Sequence, residues 1–507
     1  MTRAEAKERL RASERRRFLA QAGKCTTGLA VGFVMGATPS PASPAQAPAP
    51  VTATPLISKL SRFVSGVRAG AIPAKALDTA KTAIMDCLGV AVAGGTEESA
   101  RIAGRLARED GGRATTTVYG QRFKLPTAQA ALVNGIAAHA HDFDHSFVVG
   151  GQPTASIIPA AFTVGESVGA SGARVLEAYV AGFEVVAALM LALQNAGGAG
   201  WHANGTVGVF GAAAASGTLL GLTPAQIETA LVIAASMAGG VTANFGTMTK
   251  PWHVGQAARN GVLAAQLAKA GFTANTQTLD ARNGFFDCYY PTAKPDLAAL
   301  DELGRVFALE KYGVRFKPYP CGGLTHTAIY AAIRMRNEQR ITPDMVERVE
   351  VRVPADTAAP LTFRVPSVGL EGKFSMPYLI ARALVDGQVT LETFTDAAVR
   401  EQPVLQLLER VEMSVDPALR SGSDGSRPAT VTIRLTNGQT HTLNQTFPKG
   451  SPQVPMTPEE LLAKFRLCAQ GAIGSQAGER ALEQIRRLET LRSVRPLVAQ
   501  LRGTAPA

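Results

Sequence analysis

VGVFGAAAASGTLL, residues 207–220, contains no charged side chain and is followed by Gly221. A helix that is apolar all round is buried, and a glycine after the last helical residue commonly ends a helix. The stretch therefore predicts a helix that is buried on most sides. Three further segments carry apolar residues at helical spacing, and we expect long helices there as well: residues 74–92, 175–193 and 256–269.

The pattern changes near Lys317. Residues 346–353 alternate partly between apolar and charged side chains, as a half-exposed strand does, and residues 411–415 repeat this on a smaller scale. Asn437-Gly438 between two β-prone runs predicts a hairpin. Further helices are expected at residues 377–384, 391–400 and 458–501, the last with Pro458 in its first turn.

A chain of 507 residues is too long for a single hydrophobic core, so we expect at least two domains. The predicted fold class is mainly α, with a large all-helical domain that the C-terminal helices complete and a smaller α+β domain. The predicted boundaries are a signal peptide at 1–47, a Pro-, Ala- and Ser-rich linker at 48–54, the helical domain at 55–316, the α+β domain at 317–452 and the C-terminal helices at 453–507.

The formal charge of +11 is concentrated at the start of the chain. Residues 1–24 hold eight Lys or Arg and three Glu, so they contribute +5 and leave +6 for the rest. No dense basic run with interleaved aromatic residues follows, so nucleic-acid binding is not expected. A modest positive excess is compatible with attracting small anions.

The N-terminal residues fit an export signal. Arg15-Arg16-Arg17-Phe18-Leu19 matches the twin-arginine pattern, a weakly apolar stretch spans residues 26–37, and Ala45-Gln46-Ala47 is similar to a cleavage site. The apolar stretch is shorter than the roughly 20 residues that span a bilayer. We therefore expect export to the periplasm without a stable membrane anchor; an uncleaved anchor or an amphipathic helix is the alternative.

Two local patterns, a nucleophile motif and the cysteine spacing, give no support for a function. Residues 165–169, Gly-Glu-Ser-Val-Gly, satisfy the G-x-S-x-G pattern, but residues 159–164 favour a helix before Ser167, where a nucleophile elbow needs a strand. The five cysteines include no C-x-x-C pair, so neither a disulfide framework nor an iron–sulfur cluster is predicted.

Residues 139–145, His-Ala-His-Asp-Phe-Asp-His, crowd three histidines and two aspartates together. The segment is similar to the H-x-H-x-D-H zinc ligands of metallo-β-lactamase-like hydrolases. However, its spacing is one residue too long, and the Ala-rich residues before it favour a helix over a buried strand. A metal-dependent hydrolase built on this cluster stays an alternative.

Other ionisable side chains lie in Gly- or Pro-rich segments, where catalytic groups are common. His202 lies within Gly-Trp-His-Ala-Asn-Gly-Thr, and Lys250 and His253 lie within Gly-Thr-Met-Thr-Lys-Pro-Trp-His. His326 follows Lys317-Pro-Tyr-Pro-Cys-Gly-Gly-Leu-Thr. Together, these segments and the 139–145 cluster predict one site.

With these segments the sequence resembles the MmgE/PrpD family of 2-methylcitrate dehydratases, cis-aconitate decarboxylases and iminodisuccinate epimerases. The resemblance covers about residues 55–500. The matching stretches, in chain order, are Asp86-Cys87-Leu88-Gly89, 139–146, Gln152-Pro153-Thr154-Ala155, 200–205, 246–250, 317–321 and Lys373-Phe374-Ser375. The resemblance implies a helical domain with a smaller α+β lid, a homodimer, and no required metal or organic cofactor.

The resemblance also implies the pocket residues. Asp142, His202 and Lys250 take the catalytic positions, and the substrate-binding positions fall on Ser146, where Thr is usual, Gln152, His326 and Lys317. Two positions depart from the family: Gln152 stands where His is usual, and His145 stands where Asp is usual. Gln can form hydrogen bonds but cannot carry a proton at neutral pH.

The expected chemistry is proton transfer beside a carboxylate. We expect His202 to act as acid or base, Lys250 to stabilise enolate-like charge, and Asp142 to orient His202 or take a proton itself. Ser146 and Gln152 would then bind substrate oxygens. The first hypothesis is a lyase similar to 2-methylcitrate dehydratase that eliminates water from a small di- or tricarboxylate. Its alternatives are an epimerase, isomerase or decarboxylase on a related acid, the metal-dependent hydrolase, and a periplasmic carboxylate-binding protein without catalysis.

Overall fold

The computed structural model describes residues 55–194, 200–292 and 295–504. The predicted signal peptide at 1–47 and linker at 48–54 lie outside the described residues, as do the last three residues of the chain. The mainly α fold class is confirmed.

The N-terminal part is built of helices with two short strand pairs. Its α-helices are α1 (Leu56–Gly66), α2 (Ala74–Gly94), α3 (Glu98–Glu109), α4 (Thr127–Ala140), α5 (Thr154–Val168), α6 (Gly172–Ala192), α7 (Ala203–Thr206), α8 (Gly208–Leu220), α9 (Pro224–Ser236), α10 (Thr249–Lys269), α11 (Phe285–Tyr289), α12 (Ala298–Asp301) and α13 (Ala308–Lys311). Its strands are β1 (Thr116–Thr117), β2 (Lys124–Leu125), β3 (Ser146–Phe147) and β4 (Val314–Arg315). Both strand pairs, β1–β2 and β3–β4, are antiparallel.

Helix α8 is buried along nearly its whole length, as residues 207–220 predict. Helices α6, α5 and α10 pack against it. Helix α6 is long and apolar enough to span a bilayer, with a mean hydropathy of 1.8, but 94% of that window is buried inside the protein. Ser167 lies in the last turn of α5 and donates a hydrogen bond to the Val164 carbonyl, so it is not on a nucleophile elbow.

Helices α4 and α10 touch through their backbones, and this contact positions the site. A Cβ added to Gly135 would lie 2.7 Å from the Gly255 Cα, and one added to Gly255 would lie 2.4 Å from the Leu132 carbonyl oxygen. Glycine permits such a close approach because it has no Cβ. The end of α4 is thereby held beside the beginning of α10.

The α+β part has its own hydrophobic core. Its strands are β5 (Val346–Val353), β6 (Val411–Val415), β7 (Ala429–Leu435) and β8 (Thr440–Gln445), in the sheet order β6-β5-β7-β8. The β5–β6 pair is parallel and the other two pairs are antiparallel. Its helices are α14 (His326–Glu338), α15 (Ala355–Ala358), α16 (Gly369–Gly372), α17 (Met376–Asp386) and α18 (Gln402–Leu408). The predicted strands and the hairpin are confirmed.

The predicted helix at residues 391–400 is wrong. The structure has two short 3₁₀ turns there, Glu392–Phe394 and Ala398–Arg400. The Thr393 hydroxyl accepts a hydrogen bond from the Thr390 amide, and the Thr395 hydroxyl accepts one from the Ala398 amide. These side-chain bonds compete with the hydrogen bonds of a helix.

The last helices return to the first core. They are α19 (Pro458–Ile473), α20 (Ser475–Arg486) and α21 (Arg495–Gln500), and their buried apolar residues join the core formed by the N-terminal helices. Pro458 lies in the first turn of α19, as predicted, where Thr457 and Glu460 form a capping box. Phe465 of α19 packs against Gly89 of α2.

Candidate active site

A cavity of ≈ 200 Å³ lies where the loops of the helical part meet the first loop of the α+β part. It is smaller than the roughly 300–1,000 Å³ of pockets for drug-sized ligands, so it suits a small molecule. Its lining comprises Asp142, Ser146, Gly150, Gly151, Gln152, Trp201, His202, Ala203, Asn204, Thr242, Phe245, Lys250, Arg315, Gly322, Gly323, Leu324, Phe374 and Arg427. A larger cleft of ≈ 600 Å³ lies against α1, but its lining has no comparable cluster of buried ionisable groups.

Asp142 is the buried anion of this site. It follows the end of α4 with a φ of 50°, a left-handed conformation that Asp tolerates better than most residues. Its Oδ1 lies 2.6 Å from the Lys317 Nζ, and its Oδ2 lies 3.3 Å from the Lys250 Nζ. Burial alone would raise its pKa, but the two ammonium groups hold the pKa of Asp142 well below its usual range. Asp142 is therefore a fixed carboxylate and a poor proton acceptor.

Lys250 presents a buried ammonium to the cavity from the first turn of α10. Its Nζ lies 2.6 Å from the His139 Nε2, and the His139 Nδ1 lies 2.9 Å from Asp144. Because Asp144 accepts the Nδ1 proton, the Nε2 of His139 is free to accept from Lys250. Burial lowers the pKa of Lys250, while Asp142 opposes this and Lys317 adds to it. The rings of Phe245 and Phe374 lie 5.3 and 5.5 Å from the Nζ.

His202 lines the cavity immediately before α7. Its backbone amide donates to the Gly240 carbonyl at 2.9 Å, and its Nδ1 lies 3.1 Å from the His253 Nδ1. Its ring packs edge-to-face on Phe245. Burial, then Lys250, His139 and His253, hold the pKa of His202 well below its usual value. The imidazole is therefore neutral at neutral pH when the cavity is empty.

The predicted link from Asp142 to His202 is corrected by these contacts. The polar partners of the Asp142 side chain are Lys317, Lys250 and Gln152. His202 has His253 as its side-chain hydrogen-bond partner instead. Asp142 thus orients Lys250, and its low pKa argues against a role in taking the proton.

Gln152 and Asn204 form a clamp beside Asp142. The Asn204 Nδ2 donates to the Gln152 Oε1 at 2.8 Å, and the backbone N–H of Gln152 donates to the Asn204 Oδ1 at 2.7 Å. The Gln152 Nε2 points to the Asp142 Oδ1 at 3.3 Å. Both residues line the cavity, as does Ser146, so all three can offer hydrogen bonds to a ligand.

Lys317 and His326 stand behind the cavity wall and are absent from its lining, although both were expected to bind substrate. Lys317 is fully buried and also donates to the carbonyls of Asp142 and Cys321, at 2.8 and 3.2 Å. His326 is fully buried, with its Nε2 3.3 Å from the Cys321 carbonyl oxygen and its ring against Tyr319. They support the wall and the Asp142 carboxylate.

The three histidines of the 139–145 cluster point in different directions. His139 faces Lys250, His145 faces Asp86, and the His141 Nε2 lies 3.8 Å from Glu97. His139, Asp142 and Asp144 do offer three ligand atoms within 4.8 Å of one another. The Lys250 ammonium already contacts two of these residues, however, and supplies the positive charge that a metal ion would bring. This arrangement gives the metal-dependent hydrolase no support.

A second buried network holds the loop that carries Asp142. The Lys464 Nζ of α19 lies 2.6 Å from the Asp86 Oδ1 and donates to the Phe143 carbonyl at 2.7 Å. The Asp86 Oδ2 lies 2.9 Å from the His145 Nδ1, and the His145 Nε2 lies 2.8 Å from the Thr154 hydroxyl. Burial raises the pKa of Asp86, but Lys464 and His145 lower it more. His145 thus has a structural place here.

Replacing Lys464 by Met is expected to lower the free energy of unfolding by about 3 kcal/mol, since the buried Asp86 loses its ion-pair partner and the Phe143 carbonyl loses its donor, while Asp86 keeps His145. The cavity lining is unchanged, so turnover should fall only a few-fold, through misplacement of the 142–146 loop. Thermal unfolding and kcat measure both effects, with Lys75→Met, at an exposed lysine, as the control. An unchanged thermal midpoint would show that the network does not stabilise the loop.

Residue types and order predicted much of this site, but several lining residues were missed. Asn204 lies in the segment that carries His202, and Arg315 lies two residues before Lys317, so proximity could have indicated both. Phe245 directly precedes the 246–250 stretch and has the same signal, whereas the motifs give none for Arg427, which comes from the segment before β7.

Comparison with known proteins gives two family-model matches and several relatives. Residues 58–298 match the MmgE/PrpD N-terminal domain, and residues 319–490 match the MmgE/PrpD C-terminal domain. The chain belongs to the MmgE/PrpD family. It is 30% identical to a cis-aconitate decarboxylase of Homo sapiens over 87% of this chain and 94% of that protein. It is 28% identical to a cis-aconitate decarboxylase of Aspergillus terreus over 88% of this chain and 95% of that protein.

Proposed function

We propose that the protein is a cofactor-independent lyase that decarboxylates a small unsaturated tricarboxylate, with cis-aconitate as the first candidate. The observation that supports it most is the buried Lys250 ammonium, which faces a small cavity beside the neutral His202. The similarity to cis-aconitate decarboxylases over most of both chains supports the same reaction.

The proposed reaction needs one proton and no redox change. In cis-aconitate, one carboxylate is attached to a CH₂ group next to the C=C bond. When the bond to that carboxylate breaks, CO₂ leaves and the electron pair forms a new C=C bond. The former alkene CH carbon, which lies beside a second carboxylate, carries the displaced pair and takes a proton. The products are CO₂ and methylenesuccinate.

Lys250 is the group that stabilises the developing charge. A cation beside the second carboxylate favours the enolate-like transition state, and its effect is large in a buried site. Asp142 and His139 hold the ammonium from two sides, so little reorganisation is needed when charge develops. Ser146 and Gln152, which also line the cavity, bind the substrate oxygens.

His202 delivers the proton in this scheme. Burial depresses its pKa most in the free protein, and Lys250, His139 and His253 add to this. A bound polyanion beside the Lys250 ammonium favours the imidazolium form and raises the pKa of His202 toward its usual value of about 6.5. Binding of substrate therefore protonates His202, and the imidazolium then donates to the carbon.

This coupling predicts proton uptake. At pH 6.5, binding of tricarballylate, a saturated tricarboxylate, should take up a proton, so the calorimetric enthalpy should vary with the ionisation enthalpy of the buffer. In His202→Gln the variation should largely vanish, and kcat should fall about 10²-fold because the donor is lost. His441→Gln, on a strand away from the cavity, is the control. Unchanged buffer dependence in His202→Gln would place the proton on another group.

The dehydration that the sequence analysis put first has less support. Loss of water requires a proton for the leaving hydroxide as well as the removal of a C–H proton. Gln152 stands where a family histidine is usual, and an amide cannot supply that proton. Decarboxylation needs no leaving-group acid and is compatible with Gln152.

The test is proton NMR of the protein in D₂O with cis-aconitate, citrate and 2-methylcitrate. The expected result is formation of methylenesuccinate with one deuterium per molecule at the CH₂ carbon beside its carboxylate. Formation of an unsaturated acid from 2-methylcitrate would favour dehydration instead. No reaction or exchange with any of the acids would overturn the proposal. Periplasmic location and homodimer formation stay predictions from the sequence.

A further inference from the structure

Arg315 is an unusual residue for a buried position. It is 5% exposed, and strand β4 holds it directly opposite Ser146 of β3, at the cavity wall. Its Nη1 has one long hydrogen bond, 3.5 Å to the Gly425 carbonyl, and its Nε has no partner. Within the part of the chain that the structure describes, no carboxylate lies at ion-pair distance from it.

An unpaired buried cation is costly, by several kcal/mol. A guanidinium has five N–H donors and no acceptor, and most of those of Arg315 are unused. The cost is offset if an anion enters the cavity and accepts them. A carboxylate fits best, because its two oxygens match the fork of a guanidinium.

Arg427 adds positive charge to the same side of the cavity as Arg315. It lines the wall beside Arg315, and its own charge is matched by Asp356, 3.3 Å from its Nη1. Burial, with Arg427 nearby, lowers the pKa of Arg315 to about 9, so Arg315 stays charged at neutral pH. The charged neighbours of Lys250 are different ones, Asp142 and Lys317. The cavity therefore has two positive regions, called its poles below: one is formed by Lys250 and the other by Arg315 with Arg427.

Two poles set a requirement for the ligand. The lining carries three cations, Lys250, Arg315 and Arg427, against the single carboxylate of Asp142, which Lys317 already pairs from behind. A cation beside the carboxylate that leaves as CO₂ would stabilise the ground state and slow the reaction. The poles thus suit the two carboxylates that remain in the product.

We infer that Arg315, assisted by Arg427, is a second carboxylate subsite that binds the central carboxylate of the substrate and selects tricarboxylates over acids that lack this group. The inference rests on the proposed function for the assignment of the first carboxylate to Lys250. It makes Arg315 a specificity-determining residue.

A matched pair of inert probes tests the subsite. Tricarballylate has all three carboxylates, and glutarate is the same chain without the central one. In the wild-type protein, calorimetry should show tighter binding of tricarballylate. Arg315→Gln should weaken the binding of tricarballylate by about 10²-fold, the usual cost of truncating one partner of a buried charge pair. Glutarate binding should change less than about 3-fold. Arg315→Lys should give an intermediate loss, since Lys cannot form the fork.

Stability gives an independent readout. Because Arg315 is unpaired in the empty site, Arg315→Gln should raise the thermal midpoint of the free protein or leave it unchanged, whereas a structural arginine would lower it. Arg420→Gln, at an exposed arginine of the loop before β7, is the control for both measurements.

The outcomes separate the two proposals. If Arg315→Gln weakens the binding of both probes equally, or weakens the binding of neither, the subsite is overturned. If cis-aconitate is decarboxylated while Arg315→Gln keeps the preference for tricarballylate, the subsite fails and the proposed function stands. If no acid reacts but the preference collapses in Arg315→Gln, the proposed reaction fails and the subsite stands.

Discussion

Replacing Lys250 by Met is expected to lower kcat/KM for cis-aconitate by about 10⁴-fold. Removing one donor from an oxyanion-type site costs roughly 10²–10³ in kcat, and the loss of a cation that also binds a substrate carboxylate adds to this. The thermal midpoint should change little, because Asp142 keeps Lys317 as its ion-pair partner. Lys269→Met, at the exposed end of the same helix α10, is the matched control.

Chemical rescue makes this prediction sharper. Lys250→Ala leaves space beside His139 and Asp142, and methylammonium added to the assay should restore part of the activity. The same salt should not rescue His202→Gln. In the wild type, activity should fall a second time at alkaline pH, above the step set by His202 and through a pKa below the usual lysine value, since burial lowers the pKa of Lys250. Substantial turnover by Lys250→Met would show that another group stabilises the charge.

Much of the fold follows from local patterns. Residues 207–220 predict helix α8 because Ala and Gly leave no polar face, and residues 346–353 predict strand β5 because apolar and charged side chains alternate. The start of α10 was harder: the predicted helix begins at residue 256, whereas the helix begins at Thr249. Lys250-Pro251 is typical of a loop, but proline is tolerated in the first helical turn.

The site was predictable in its residue types and less so in its partnerships. His202, Lys250, Asp142, Ser146 and Gln152 all line one cavity. Their contacts depend on helix packing, however, since Asp142 and Lys317 are 175 positions apart in the chain. Local patterns carry no information on such pairs.

Asp142→Asn is expected to lower the free energy of unfolding by about 3–5 kcal/mol, because it leaves the fully buried Lys317 without a carboxylate. The pKa of Asp142 in the folded protein is held well below its usual range by Lys250 and Lys317, although burial opposes this. The stabilisation is therefore complete above the unfolded-state pKa of about 3.9 and is lost as the pH falls through the folded-state pKa. The difference between wild type and variant should be constant above about pH 5 and shrink only in strong acid. Asp280→Asn, at an exposed position, is the control.

The double variant Asp142→Asn with Lys317→Met separates folding from catalysis. Replacing both members of a buried ion pair by uncharged side chains is often neutral, so most of the lost stability should return. Activity should not return, because Lys250 still lacks the carboxylate that orients it. Urea unfolding and kcat/KM, measured on both single variants and the double variant, complete the cycle. A double variant no more stable than Asp142→Asn would mean that the buried Lys317 charge is not the source of the lost stability. Recovered activity would show that Asp142 has no part in catalysis and serves only as the ion-pair partner of Lys317.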